Sequence, residues 1–415
     1  MLLLAVAVVG GVFFSSRSGT GATGDPGASP VVATPPLAVA AAPAPTVAAA
    51  TTPPPPPTLG VASTPPTPLV GAAGTPATSP TAPLVAPATL ALRRQELILF
   101  SSQRGGGAVG GQIYAMDPDG KGVRQVTRQP GTAWGPRIAP DGRSFSLAVA
   151  PVGQGERTAV AGGLEGKGKH DLALFNTADA TAIALSATAT WNSGWSWSPD
   201  GKALAFSSNR DGNWELYLLA FPGGAIVRLT TNAAQDAWPA WTPDGKKIVF
   251  MSTREGYEQL YIMDADGKNV ARLNPSETSD TLPVVSPDGK KVAYVAQESD
   301  LSESQVFVMD IDGGNATRLT SAGTYNGQPT WSPDSARLAF VSNREGVKHI
   351  YTMRADGSAQ VALTSGAGED ATPEWGFLTL APAALTGELA NLPPVIGSTG
   401  LASALWTRRR RGERC

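Results

Sequence analysis

Cysteine is all but missing from this 415-residue chain: Cys415, the last residue, is the only one. No disulfide can form within the chain, and zinc–thiolate sites are excluded. Histidine is nearly as scarce, with only His170 and His349. No Gly-x-Ser-x-Gly elbow occurs, which rules out a serine hydrolase of that type. No P-loop or dinucleotide fingerprint precedes a helical pattern. Net charge is only −2, so an excess of one sign is lacking too, which argues against a general nucleic-acid or anionic-membrane binder.

Charge and aromatics are absent locally as well. From Ser18 to Leu92 the only charged residue is Asp25, there is no aromatic, and Pro, Ala, Thr, Gly, Ser and Val supply nearly everything. Such a stretch buries too little to offset the entropy of ordering. Residues 18–92 are therefore expected to be a disordered, partly polyproline linker. Ahead of them, Leu2 to Phe14 is an apolar run of signal-peptide length, short for a membrane span. Residues 1–17 are expected to act as a signal peptide or as a membrane anchor. Beyond residue 378, "LPPVI" lacks the Thr-Gly of a wall-sorting signal, and Arg408, Arg409, Arg410 and Arg411 form a basic cluster. Residues 379–415 are expected to be a disordered tail.

What the sequence does have is a repeat. "WTPDGKKIVFMSTREGYEQLYIMDADGKNVARLN", Trp241 to Asn274, is nearly rewritten at Trp197, Val285 and Trp331. Pro-Asp-Gly turns stand at Pro140, Pro199, Pro243 and Pro287, with Pro333-Asp334-Ser335 as a degenerate fifth. Proline fixes the first corner of each turn, while Asp and Gly tolerate the corners that strain bulkier residues. Further Asp-Gly pairs at Asp119, Asp266, Asp312 and Asp356 read as tight hairpins. Four short antiparallel strands in a unit of roughly 44 residues mark a propeller blade.

Second strands recur six times, as "LILF" at 97, "SFSL" at 144, "ALAF" at 203, "KIVF" at 247, "KVAY" at 291 and "RLAF" at 337. The first lacks an inner strand ahead of it, and a surplus one, "ATPEWGFL", follows the sixth. The expected fold is an all-β, six-bladed propeller over residues 93–378, its last strand closing the first blade so that no sheet edge is left open. In that fold Trp197, Trp241, Trp331 and Trp375 are packing residues between blades. The repeats, "PAWTPDGKKIVFMSTREGYEQLYIMDADG" above all, resemble the TolB family of β-propellers. TolB also has a globular domain before its propeller, where this chain has the Pro/Ala/Thr-rich stretch.

Antiparallel strands sort the turns. The Pro-Asp-Gly and Asp-Gly turns share one face, the base; the loops joining strands two to three, and blade to blade, share the other, the mouth. Base turns are nearly identical from blade to blade, whereas mouth loops vary. Seven residues before each Pro-Asp-Gly proline, or its equivalent, stand Ala133, Asn192, Asp236, Asp280, Asn326 and Asp370. This ring either forms an electronegative mouth for a cation or a basic side chain, or caps its own turns through Asx bonds. Arg104, Arg210, Arg254 and Arg344 match one another in the two-to-three loop. They either pair with neighbouring carboxylates or rim the mouth for an acidic partner. Trp134, Trp195 and Trp238 fall close to the mouth, where an exposed indole is a recognition group. Blade two stretches its loop to "PVGQGERTAVAGGLEGKGK", and long loops on rigid scaffolds often bind. His349 and His170 fall at or next to third strands, where a structural role is expected.

The pattern points to a non-catalytic, extracytoplasmic binding or scaffold module of the cell envelope. Its partner is expected to be a protein or a glycan and not a nucleic acid, with membrane attachment through the N-terminal segment. No cofactor is expected, Ca2+ at the channel mouth being the one ion the carboxylate ring suits. The alternative is a metal-dependent, lactonase-like hydrolase using that acidic mouth.

Overall fold

A computed structural model describes residues 93–104, 111–128, 131–150, 171–178, 182–186, 192–297 and 303–380. The N-terminal segment and linker (1–92), the stretched loop of blade two, His170 and the tail from 381 lie outside the described residues.

Alternation of apolar and polar residues in short runs, each closed by a turn signal, produces six four-stranded antiparallel sheets. They are the blades of one six-bladed propeller. Blade four shows the pattern: an inner strand Asp236–Trp241, a second Lys247–Ser252, a third Gln259–Asp264 and an outer Ala271–Arg272. The other inner strands are Thr132–Ile138, Asn192–Trp197, Ser279–Val285, Asn326–Trp331 and, for blade one, Asp370–Leu380. That last strand pairs with Arg93–Ser102 from Arg93↔Leu380 to Ser102↔Asp370. The far end of the chain thus completes the first blade. The ladder continues past the expected limit at 378, and the Thr379 N–H donates to the Gly142 carbonyl at 2.5 Å beneath blade two.

The base turns are built from their own side chains. In blade four the Thr242 hydroxyl donates to Asp244 Oδ1 at 2.6 Å, which also accepts from the Lys246 N–H at 3.1 Å. Gly245 takes the positive φ (69°) that closes the turn.

Each inner strand bulges at one place. Gly135, Gly194, Trp238, Leu282, Gln328 and Thr372 all have φ between 47° and 61°. Each stands two residues after a member of the Asp/Asn ring, and in five blades a proline follows: Pro136, Pro239, Pro283, Pro329 and Pro373. Proline has no N–H for the ladder, so pairing skips there, as between Ala237 and Ala240. The core lies between blades. Phe100, Phe206, Phe250 and Phe340 are fully buried in second strands. Trp197, Trp331 and Trp375 wedge between sheets with their indole N–H groups bonded to Ser146 Oγ, the Val284 carbonyl and Glu96 Oε1.

Candidate functional site

The mouth begins with the second strand. In four blades that strand ends in Phe-x-Ser-x-Arg: "FSSQR" to Arg104, "FSSNR" to Arg210, "FMSTR" to Arg254 and "FVSNR" to Arg344. Period-two alternation turns the serine and the arginine to the same side as the phenylalanine. The strand stops one residue before the arginine's loop, which lets the guanidinium fold back over the sheet.

In blade four the Arg254 guanidinium donates to Asp236 Oδ1 at 3.1 Å, and its Nε donates to Ser252 Oγ at 2.9 Å. Its carbon lies 5.5 Å from the Phe250 ring centre and 4.5 Å from that of Tyr261. The cation is thus fixed by a carboxylate, a hydroxyl and two aromatic faces at once. Blade one repeats the arrangement, with Arg104 2.7 Å from Asp370 and 2.9 Å from Ser102. In blades three and six an asparagine replaces the aspartate, and Arg210 and Arg344 each meet Asn192 or Asn326 Oδ1 at 3.2 Å. Every one of these arginines pairs within its own blade.

The ring residues are sealed. Asn192, Asp236, Asp280, Asn326 and Asp370 have no solvent exposure. Neighbouring polar groups finish their bonding: Asn232 donates to Asp236 at 2.6 Å, and Asn326 donates to Gln305 at 3.0 Å. Burial pushes the Tyr217 and Tyr261 hydroxyls up to about 12. They remain proton donors, to Asp211 at 2.7 Å and Glu255 at 2.8 Å.

Two blades break the pattern. Blade two has Ala133 in the ring and Leu147 facing Ala173 where the others pair two aromatics. Blade five keeps Asp280, but its second strand ends "YVAQE", with Glu298 in the arginine's place. Asp280 is held instead by Asn274 Nδ2 at 3.1 Å, Ser276 Oγ at 2.7 Å and Thr278 Oγ1 at 2.7 Å. With no cation beside it, burial raises its carboxyl above the ordinary 3.8.

The tryptophans near the mouth are half-buried at positions 134 and 238, and buried at 195. Trp238 lies against the Gly194 bulge, where an added Cβ would meet its Cα at 2.9 Å. His349 is buried with its Nδ1 3.5 Å from Asp370 Oδ2. Among the described residues no three His, Cys, Asp or Glu side chains come together as a metal-holding group. The serines of the clamp (102, 208, 252 and 342) and its aromatic pairs are functional parts that ring position alone does not reveal. The recurring Phe-x-Ser-x-Arg is the sequence signal that would have found them.

Comparison places this geometry among known folds. No curated protein matches the chain. TolB from Acinetobacter baumannii is 24% identical, with a TM-score of 0.58 over 68% of this chain and 66% of that one. A protein assigned as TolB from Agrobacterium tumefaciens is 22% identical, with a TM-score of 0.51 over 67% of this chain and 91% of that one. Hydrazine synthase of Kuenenia stuttgartiensis is 15% identical, with a TM-score of 0.54 over 74% of this chain and 48% of that one. At these identities the likeness is one of fold. A family model described as the TolB beta propeller domain matches residues 164–379, more than half of the chain, and the chain belongs to that family.

Proposed function

We propose that this chain is a non-catalytic, extracytoplasmic binding module that presents its mouth face to a protein partner in the cell envelope. The observation that carries this reading is where the repeat breaks. Base turns repeat almost unchanged, while every large departure is on the mouth side: Ala133, the stretched loop of blade two, Glu298, and the series Gly111, Trp214, Glu258, Ser304 and Lys348 just before third strands. A scaffold needs uniform turns, and recognition needs variety.

A protein suits this face better than a glycan. Its described groups are chiefly charged pairs such as Arg272 with Glu255 and Arg318 with Glu303. Of the large hydrophobics exposed in the described residues, Tyr257 alone lies in a mouth loop, whereas sugar binding leans on open aromatic faces. The hydrolase alternative needs carboxylates to converge on a metal, and Asp236 and Asp370 are instead each clamped by an arginine in separate blades. Export and membrane attachment through residues 1–17 belong to the same proposal and rest on the apolar run there.

The test is site-directed photo-crosslinking in cells of the source organism, with the crosslinker at Tyr257 on the mouth or at Lys246 on the base. One envelope protein captured from Tyr257 and not from Lys246 supports the reading. Equal capture from both faces, or none from Tyr257, overturns it.

A further inference from the structure

In four blades a tilted aromatic pair lies under its own arginine: Phe100 with Tyr114, Phe206 with Tyr217, Phe250 with Tyr261 and Phe340 with Tyr351. Blade five has the same pair with the residue types exchanged. Tyr294 and Phe307 stand opposite each other in the ladder, their ring centres 5.7 Å apart at 33°, against 6.0 Å and 35° for Phe250 and Tyr261. Among the described residues no cation lies over it. None can come from its own loop, since residues 298–302, Glu-Ser-Asp-Leu-Ser, hold no basic residue. The ring nearest the mouth reports the difference: Tyr217, Tyr261 and Tyr351 are at most 3% exposed, whereas Phe307 is only half-buried.

The anion of the seat is also in place. Asp280 is the counterpart of Asp236, fully buried, and receives three neutral donors. A carboxylate has about four acceptor positions, so one remains. Beside it Asn274, 3% exposed, turns its Nδ2 to Asp280 and leaves its Oδ1 buried without a hydrogen bond. Blade two shows what full loss looks like: there the ring residue is Ala133, the pair is Leu147 and Ala173, and no part of the seat is left. Blade five has lost only its arginine.

We propose that the Asp280–Tyr294–Phe307 seat of blade five receives an arginine side chain from a protein partner, in the position that Arg254 holds in blade four. This rests on the reading of the mouth as a protein-docking face and names the group by which the partner is held. Guanidinium is favoured over ammonium or a metal ion because the floor of the seat is aromatic, and a planar cation stacks there while donating sideways to a carboxylate.

The seat is tested by NMR titration of the whole chain with acetyl-Gly-Arg-Gly-amide, its lysine analogue and calcium chloride. The arginine peptide is expected to shift the amide signals of Asn274, Thr278 and Phe307, with the lysine peptide weaker by roughly tenfold. Ala296→Ser with Glu298→Arg supplies the seat from within, as "FMSTR" does, and should weaken the peptide at least about tenfold. Phe307→Leu removes the floor and should do the same if the double variant folds poorly. Calcium shifting the same signals as strongly as the peptide, or undiminished peptide binding in both variants, overturns the proposal. The crosslinking experiment asks only whether a partner comes to the mouth, so the two ideas fail separately.

Discussion

Arg254 reaches 18 residues back along the chain to hold the fully buried carboxylate of Asp236, while its guanidinium lies over Phe250 and Tyr261. One side chain thereby ties the inner, second and third strands of a blade together at the mouth. Removing either charge leaves the other with its desolvation uncompensated.

Asp236→Ala is accordingly expected to destabilise the propeller by about 3–5 kcal/mol. Arg254→Ala should fall in the same range, and the double variant should lose far less than the sum. Urea denaturation of the four proteins measures the coupling. Additive losses would mean that the pair is not a unit.

Asp280 should behave oppositely, because no arginine meets it. Its carboxyl is raised above 3.8 by burial, so the folded protein takes up that proton more readily than the unfolded chain does. The contribution to stability is therefore greatest at low pH and is lost as pH rises through the folded value, in the window above the ordinary carboxylate range. Asp280→Asn removes this dependence. Its stability relative to the parent should be higher at pH 7 than at pH 4, read from urea denaturation at both. A gap that does not change with pH would show that Asp280 is already charged without penalty.

Gly194 is required twice over, by its φ of 47° and by Trp238 lying against it. Gly194→Ala should destabilise by about 1–3 kcal/mol. Trp238→Ala in the same chain should recover part of that loss by relieving the clash, leaving the backbone strain. Thermal melts of the single and double variants decide it, and a double variant no better than Gly194→Ala would place the whole loss in the backbone.

Truncation before Ala371 removes the strand that pairs with Arg93–Ser102 and takes away Trp375, which is 5% exposed and bonded to Glu96. Loss of a buried tryptophan alone costs about 3–5 kcal/mol, a large share of what holds a domain together. The truncated chain should show no cooperative melt by circular dichroism. A melting temperature equal to that of the parent would refute closure by the last strand.

The blades were legible because turns are local. Pro-Asp-Gly and Asp-Gly declare their geometry within three residues, and six second strands in register fix the number of blades. The exchange of a missing first strand for a surplus last one followed by counting. The clamp was half legible. Equal spacing put the aspartates and arginines in two rings, but spacing carries no direction, and the arginines turn inward to their own blade instead of across to the next. The bulge was hidden for a different reason: the residue before Pro239, Pro283, Pro329 and Pro373 is Trp, Leu, Gln or Thr, none of which announces a positive φ. There the closed ring overrides local preference. Blade five was misleading in isolation, since Asp280 looks like Asp236 until the arginine meant for it proves to be Glu298.

Arg93 and Leu380, paired at the base of blade one, occupy the place where the other blades carry a turn from inner to second strand. The gap between them is thus one more turn left unmade. A Pro-Asp-Gly link there would close the polypeptide into a circle with no privileged start. Cutting that circle at Asp141, Asp200, Asp244, Asp288 or Asp334 would give five rearranged genes encoding the same six-bladed object. Read this way, the order of blades along the chain is a convention of where the message was opened, and only their order around the axis is structural.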